Sequence, residues 1–256
     1  MKASGRNALG ATFAVVFGLA STLVAATEKD PMPGQWEWGA QIYLWGAGIG
    51  GTTVGGDDVD ISFNDLISHL DFAFMGTLAA RRDKFMLFAD LIYLNVSDGE
   101  TTTANLIGFP VEAKIDVGMK GFISTLGGAY RVVETDSAEL NALAGARYRA
   151  LDTDLDIQIP AIGVNQSYSD SGSVWDGVVG VKGNVDLSGK WYLSYYADVG
   201  TGNSKMTWQA LGAVNYRFSK VDAVLGYRYL AWEFDDDDTF DDLNISGPYA
   251  GVKFRF

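Results

Sequence analysis

Apolar and polar residues alternate with a period of two along most of the chain, which is typical of β-strands whose two faces meet different surroundings. In residues 35–46, the even positions from Trp36 to Leu44 are apolar, whereas Glu37 and Gln41 lie on the other face. The pattern predicts ten strands, over residues 35–46, 70–81, 85–96, 111–131, 138–159, 173–185, 190–200, 205–218, 221–233 and 247–256. Since no segment has a long helical period, we expect an all-β domain, either a sandwich or a closed barrel.

The connections between these strands alternate in length. Short links such as residues 82–84 and 219–220 alternate with long polar ones such as residues 47–69 and 235–246. Short turns at one end, long loops at the other and an even strand number are typical of outer-membrane barrels. The predicted fold is a closed antiparallel up-and-down transmembrane β-barrel of about 10 strands, with eight or twelve strands still open. A soluble lipocalin-like or avidin-like barrel is the alternative, because alternation does not tell which face points outward.

Aromatic residues favour the transmembrane barrel over the soluble one. Trp36, Phe85 and Trp191 lie near the short-turn ends of the predicted strands, and Trp175 and Trp208 lie near the long-loop ends. Two such belts match the two interfaces of a bilayer. A soluble core would more often concentrate its aromatic side chains in the middle of the strands.

The first residues have the composition of a secretory signal peptide. Lys2 and Arg6 form a basic start, residues 8–23 are almost wholly apolar or small, and small residues follow at 24–26. We therefore expect residues 1–26 to be a removed signal peptide and residues 27–256 to form the outer-membrane β-barrel domain. A membrane-anchoring helix is the alternative, since the apolar run is close to spanning length.

The last strand carries a recognisable motif. In "YAGVKFRF" (residues 249–256), apolar and aromatic residues alternate up to Phe256, which resembles the C-terminal sorting signal of bacterial outer-membrane proteins. The stretches "WEWGAQIYLWG", "VDISFNDLISHLDFAFM" and "FADLIYLNV" make the chain similar to an uncharacterised outer-membrane barrel family of Gram-negative bacteria. The resemblance implies location in the bacterial outer membrane, with Phe254 and Phe256 as sorting residues for the barrel assembly machinery. It implies no activity.

Charge and composition exclude several classes of partner. The 256 residues include 19 Lys and Arg against 32 Asp and Glu, a formal net charge of −13, which argues against nucleic acid. The chain has no cysteine, so it can form neither a disulfide framework nor a thiolate metal site. No cofactor signature is present. The expected surroundings are outer-membrane lipid and lipopolysaccharide.

Acidic residues concentrate in the predicted extracellular loops. "DDDDTFDD" has the oxygen density of a calcium loop but lacks the central glycine and spaced glutamate of an EF-hand. We interpret these residues as a solvated acidic rim, with divalent cations as candidate bridges to lipopolysaccharide, and predict no defined metal site. The rim should concentrate cations at the barrel mouth. It comprises Asp57, Asp58, Asp235, Asp236, Asp237 and Asp238.

Strand parity also predicts which side chains line the lumen. Charges of both signs in so narrow a barrel should pair and obstruct it. We therefore expect a largely closed barrel or a narrow, cation-preferring channel, with a structural or binding role. The predicted lumen residues are Glu37, Gln41, Asp90, Arg147, Arg149, Asp176, Asp198, Arg217 and Arg228.

Two segments carry further structural predictions. In residues 138–159 the polarity swaps faces near residue 150, which predicts a hairpin that projects beyond the bilayer. In the first loop, Phe63, Leu66 and Ile67 follow helical spacing after a Ser62 capping signature. A short helix and an irregular strand extension are both consistent with that loop.

His69 is the only histidine, and it is the basis of the alternative function. Ser68, Asp65 and Asp71 lie close to it in sequence, and outer-membrane proteases and lipid A-modifying enzymes use a histidine with such partners. The alternative is therefore a membrane-embedded hydrolase or acyltransferase that uses His69. The favoured interpretation is a loop histidine near lipopolysaccharide headgroups, with no catalytic residue and no enzyme activity.

Overall fold

The computed structural model describes residues 34–53, 56, 58–106, 109–235 and 240–256. The predicted signal peptide, residues 1–26, lies outside the described residues. The elements are β1 (Glu37–Trp45), β2 (Gly48–Thr53), β3 (Asp58–Ile61), α1 (Phe63–Ser68), β4 (Leu70–Arg82), β5 (Phe85–Leu106), β6 (Phe109–Glu134), β7 (Ala138–Ile159), η1 (Pro160–Ile162), β8 (Val164–Ser188), β9 (Trp191–Gly202), β10 (Met206–Arg217), β11 (Val221–Glu233) and β12 (Phe240–Arg255).

Ten of these strands close into a barrel. Each strand from β4 to β12 pairs antiparallel with the next along the chain, and β1 pairs with both β4 and β12. The β1–β12 register runs from Gly39↔Arg255 to Trp45↔Tyr249 and completes the ring. The remaining two strands, β2 and β3, form a hairpin on the outer part of β12. The prediction of a closed, ten-strand up-and-down barrel is confirmed.

The apolar face of the strands points outward. Leu44 and Leu225 are 72% and 64% exposed, and they belong to a belt of apolar side chains around the barrel. Arg147 and Arg228, on the opposite face, are 0% and 2% exposed. A water-soluble barrel would bury the apolar face and expose the charges. The soluble alternative is therefore wrong, and the outer surface suits hydrocarbon.

Aromatic side chains contact one another at both ends of this belt. At the short-turn end, the Tyr216 ring lies 4.8 Å from the Trp191 ring, measured between centroids. At the other end, Trp208 stacks on Tyr229 at 4.6 Å, and Tyr148 lies 4.7 Å from Trp175. These contacts join neighbouring strands at the two levels where interfacial aromatics lie in membrane barrels.

Four consecutive strands extend far beyond the others. β5, β6, β7 and β8 contain 22, 26, 22 and 25 residues, whereas β9, β10 and β11 contain 12, 12 and 13. Their extensions form a four-stranded antiparallel sheet, which we call the outer sheet, made of residues 97–106, 109–118, 151–159 and 164–175. It continues the barrel wall by about ten residues, or about 30 Å along the strands.

The outer sheet contains the projecting hairpin that was expected, but it also corrects the predicted strand ends. Residues 97–106 and 164–172 were expected to be polar loops and are strands. Beyond the bilayer neither face meets lipid, so the alternating pattern fades while the backbone ladder continues.

The first loop contains both structures that its sequence allowed. The β2–β3 hairpin comes first, and α1 follows it. The Ser62 hydroxyl caps α1, accepting from the Asp65 amide at 3.3 Å and donating to the Asp65 carboxylate at 2.6 Å. No residue of α1 is buried, so this helix does not plug the barrel. No helix in the described part of the chain is long and apolar enough to cross a membrane.

Candidate functional site: the charged barrel interior

Arg228 is the centre of a network near the middle of the barrel. Its guanidinium donates to Asp90 at 2.8 Å, to the Tyr43 hydroxyl at 2.8 Å and to Gln209 at 2.7 Å. The Tyr43 and Thr77 hydroxyls each donate to Asp90 at 2.8 Å. The network joins β1, β4, β5, β10 and β11 across the lumen. A charge pair with this many hydrogen bonds has its desolvation largely offset.

Arg147 is the centre of a second network. It donates to Asp198 at 2.5 Å, to Thr207 at 2.9 Å and to Thr125 at 3.3 Å. The Tyr196 hydroxyl also donates to Asp198, at 2.5 Å. The side chains of Arg147 and Asp198 are both fully buried. This network joins β6, β7, β9 and β10 and fills the lumen beside the Arg228 network.

Ion pairs also surround the short-turn end of the interior. Arg81 donates to both carboxylate oxygens of Glu139, at 2.7 and 2.9 Å. Further around the ring, Asp222 accepts from the Tyr192 hydroxyl at 2.7 Å and lies 3.2 Å from the Arg255 guanidinium. The short-turn end therefore presents paired charges rather than an open polar channel.

Two interior lysines have aromatic rings as their neighbours. The Lys182 ammonium lies 4.4 Å from the centroid of the Phe88 ring, and the Lys253 ammonium lies 5.8 Å from that of Tyr192. Among the described residues, neither ammonium has a carboxylate oxygen within 4.0 Å. The interior between the two networks and the short-turn end thus carries positive charge, which opposes the passage of cations.

Apolar side chains fill the interior at its outer end. Trp45, Leu230 and Trp232 are buried in one cluster with Leu243 and Ile245. The indole nitrogen of Trp45 donates to the Gly247 carbonyl of the neighbouring strand β12 at 3.1 Å, which fixes the position of its ring. A packed apolar cluster of this kind leaves little room for water where its side chains meet.

The remaining predicted lumen residues occupy different positions. Asp176 is buried and accepts from the Ser204 amide at 2.9 Å, and Arg149 lies over the Phe234 ring at 4.8 Å. Arg217 pairs with Asp186 at 2.7 Å near the short-turn end, and Gln41 is half-buried. Glu37, expected in the lumen, is exposed at the beginning of β1. It pairs with β4, but the pairing of β1 with β12 begins only at Gly39.

Parity alone did not single out the neutral members of the networks. Strand parity could have placed them on the inward face, but nothing in the sequence specifies their hydrogen-bond partners. These residues are Tyr43, Thr77, Thr125, Tyr196, Thr207 and Gln209.

His69 lies between Ser68 and Asp98, and the side chains of His69 and Asp98 are exposed. The Ser68 hydroxyl lies 3.0 Å from Nδ1 of His69, and Nε2 lies 3.4 Å from Asp98. However, Ser68 donates to the Asp65 carbonyl at 2.9 Å, and Nδ1 lies 2.9 Å from the same carbonyl. The role of Nδ1 depends on the tautomer: a protonated Nδ1 donates to that carbonyl, whereas an unprotonated Nδ1 can accept from Ser68 while Nε2 donates toward Asp98. Asp71 makes none of these contacts.

The acidic rim is only partly described. Asp57, Asp236, Asp237 and Asp238 lie outside the described residues, and Asp58 and Asp235 are exposed. Within the described ranges, no group of three or more His, Asp or Glu side chains is placed to hold a metal ion.

A closed ring of strands with an outward apolar belt and an inward charged face is the architecture of an outer-membrane barrel. The chain lies in the bacterial outer membrane. No family model matches the chain, and no curated protein matches its sequence.

Among solved structures, the chain is similar in fold to several outer-membrane barrels. One is the outer-membrane protease OmpT of Escherichia coli, at 10% identity and a TM-score of 0.47, over 90% of this chain and 100% of that chain. Another is the translocator domain of the autotransporter NalP of Neisseria meningitidis, at 16% identity and a TM-score of 0.47, over 88% and 90%. A third is Ail, the attachment invasion locus protein of Yersinia pestis, at 13% identity and a TM-score of 0.38, over 88% and 100%.

Proposed function

We propose that this outer-membrane barrel is closed to solutes and has a structural or binding role, with the outer sheet and loops as its working surface. The observation that supports the proposal is the pair of buried Arg228 and Arg147 networks. The first joins β11 to β5 across the lumen, and the second joins β7 to β9 and β10. Opening a path through them would separate buried charges from their partners, which is costly.

A narrow cation-preferring channel is the second candidate, and the acidic residues at the outer end favour it. Asp58, Asp235 and Asp241 are exposed there and would attract cations. The positive charge of Lys182 and Lys253 deeper in the barrel acts against cation passage. We therefore rank the closed barrel first.

Recordings in planar lipid bilayers test the closed barrel. Purified protein, with folding verified by a heat-dependent shift in electrophoretic mobility, should give no stable current steps, because the networks and the apolar cluster fill the lumen. Steady, cation-selective steps would contradict the closed barrel and support the narrow channel. Boiled protein is the control for currents that arise from membrane damage.

The hydrolase or acyltransferase alternative is tested through His69. Purified protein incubated with lipopolysaccharide and with peptide substrates should release no product above background, and His69→Ala should behave like the wild type. The reason is that the Asp65 carbonyl competes with the imidazole for the single hydroxyl proton of Ser68. Turnover that disappears in His69→Ala and persists in Ser204→Ala, a buried serine away from His69, would establish the enzyme instead.

A further inference from the structure

Among the described residues, no strand pairs with the β8 edge of the outer sheet, which we call its free edge. Residues 164–175 pair with β7 on one side, whereas pairing with β9 begins only at Asp176↔Gly202. At the boundary, the Trp175 carbonyl accepts from the Asn203 amide at 2.8 Å, and the Trp175 amide donates to the Asn203 side chain at 3.1 Å. The backbone groups of Trp175 therefore point away from β7. Because this orientation alternates along an antiparallel strand, those of Asn165, Ser167, Ser169, Ser171 and Ser173 do as well.

This edge has few of the features that usually protect a free strand. Natural edges are short, carry lysine or proline, or are bulged or covered. Residues 164–175 contain neither lysine nor proline, Asp170 is their one charged residue, and their pairing with β7 has no register shift. Residues 165–173 are all exposed. The opposite edge of the outer sheet is formed by β5. At its base it does have a backbone partner, because the Ser97 amide donates to the His69 carbonyl at 3.0 Å.

The two faces beside the β8 edge differ in chemistry. On the face that continues the barrel interior, Leu155 lies opposite Tyr168, which is 59% exposed, and Ile157 follows two residues on. On the other face, Asp154 accepts from the Ser169 hydroxyl at 2.7 Å, and Asp156 accepts from Ser167. The first face therefore combines Leu155, Ile157 and Tyr168 with Gln166 and Asp170 of the edge strand, and the other face is acidic.

The acidic face has little cationic compensation at this position. Asp154 lies opposite Gly118 on β6, and Asp156 lies opposite Asp116. Lys114 lies 3.0 Å from Asp116 and partly neutralises that one carboxylate. Only small serine side chains separate Asp154 and Asp156 from the free edge, so a long basic side chain on an added strand would reach them.

We infer that the β8 edge binds an extended segment of another protein by strand addition. The segment would alternate apolar residues, packed beside Tyr168 and Leu155, with lysine or arginine, paired with Asp154 and Asp156. Backbone hydrogen bonds to the outward groups of residues 165–173 would supply the affinity, and the two faces would supply the selectivity. This inference rests on the proposed binding role and names the surface and the class of partner.

The first test measures binding of model peptides to the refolded barrel in detergent. The probe is a short, fluorescently labelled peptide of alternating lysine and valine. The control peptide has the same composition with all lysines before all valines. Anisotropy titrations should show tighter binding of the alternating peptide by about tenfold, because only this peptide matches both faces at once. Equal affinities would mean charge attraction alone and would overturn the inference, as would no binding of either peptide.

The second test blocks the edge itself. Ser169→Pro removes one outward amide and places a ring at the edge, without removing a backbone hydrogen bond to β7. It also loses the hydroxyl bond to Asp154. The substitution should lower the affinity of the barrel for the alternating peptide by about tenfold. Ser169→Ala is the matched control: it keeps the amide, loses only the hydroxyl bond to Asp154, and should stay within about twofold of wild type. Ser169→Pro with wild-type affinity would overturn the inference.

Amide hydrogen exchange in the wild type gives a test that needs no variant. Peptide binding should slow exchange at Asn165, Ser167, Ser169, Ser171 and Ser173, and leave the intervening amides, already bonded to β7, nearly unchanged. Uniform slowing, or none, would contradict strand addition. Bilayer recordings decide separately whether the barrel is closed, so a failure here is distinguishable from a failure of the closed-barrel proposal.

Discussion

Replacing Arg228 with methionine should lower the free energy of unfolding by about 3 to 5 kcal/mol. The substitution keeps the apolar stem but removes the charge that faces Asp90, and Arg228 is 2% exposed. Asp90 keeps the hydroxyl donors of Tyr43 and Thr77, yet it remains a largely buried carboxylate, 16% exposed, with no other described cation within 4.0 Å. Urea unfolding in lipid vesicles, followed by tryptophan fluorescence, measures the loss.

A double variant separates the charge effect from lost packing. Asp90→Asn added to Arg228→Met removes the uncompensated charge and keeps an oxygen to accept from Tyr43 and Thr77. The double variant should recover more than half of the lost stability. If the single substitution costs less than about 1 kcal/mol, water reaches the pair and the closed interior is wrong. If the double variant is no better than the single one, packing rather than charge explains the loss.

Placing an arginine at Ala210 should cost about 2 to 4 kcal/mol of stability in the membrane. Ala210 is exposed in the middle part of β10, on the outward face, between Ala197 of β9 and Tyr229 of β11. A charge there meets hydrocarbon and has no interior partner. The same vesicle unfolding assay, together with the yield of folded barrel, measures the effect.

Ala210→Leu is the matched control for this prediction. It enlarges the same side chain without adding a charge. If the position faces lipid, the free energy of unfolding should stay within about 0.5 kcal/mol of the wild-type value. A tolerated Ala210→Arg would indicate that this face meets water. A severe effect of both substitutions would indicate a packed contact with another protein rather than lipid.

β10 illustrates what the alternating pattern could predict. Its even positions are apolar and its odd positions include Thr207, Gln209 and Asn215, all three of which are buried in the structure. Period-two patterning places each residue on one of two faces, and a membrane makes the apolar face the outer one. Strand existence, strand order and the inward or outward direction of most side chains therefore followed from local pattern.

Polar strands beyond the bilayer could not be predicted in the same way. Residues 164–172 read as a loop because serine, asparagine and glycine lack strand preference and no lipid imposes alternation there. They are strands because β7 supplies a continuous partner for their backbone. Pairing with a neighbour is a tertiary property, so the outer sheet and its free edge appear only in the structure.

The partners within the lumen were decided by the closed ring. Sequence parity placed Arg228 and Asp90 inside, but they are 138 residues apart and their strands are not neighbours. Arg147 and Asp198 likewise lie on β7 and β9, with β8 between them. By itself the sequence determined the barrel, its orientation toward lipid and the inward charges. Only the tertiary structure decided which charges pair, because the register around a closed barrel sets which inward side chains meet across the lumen.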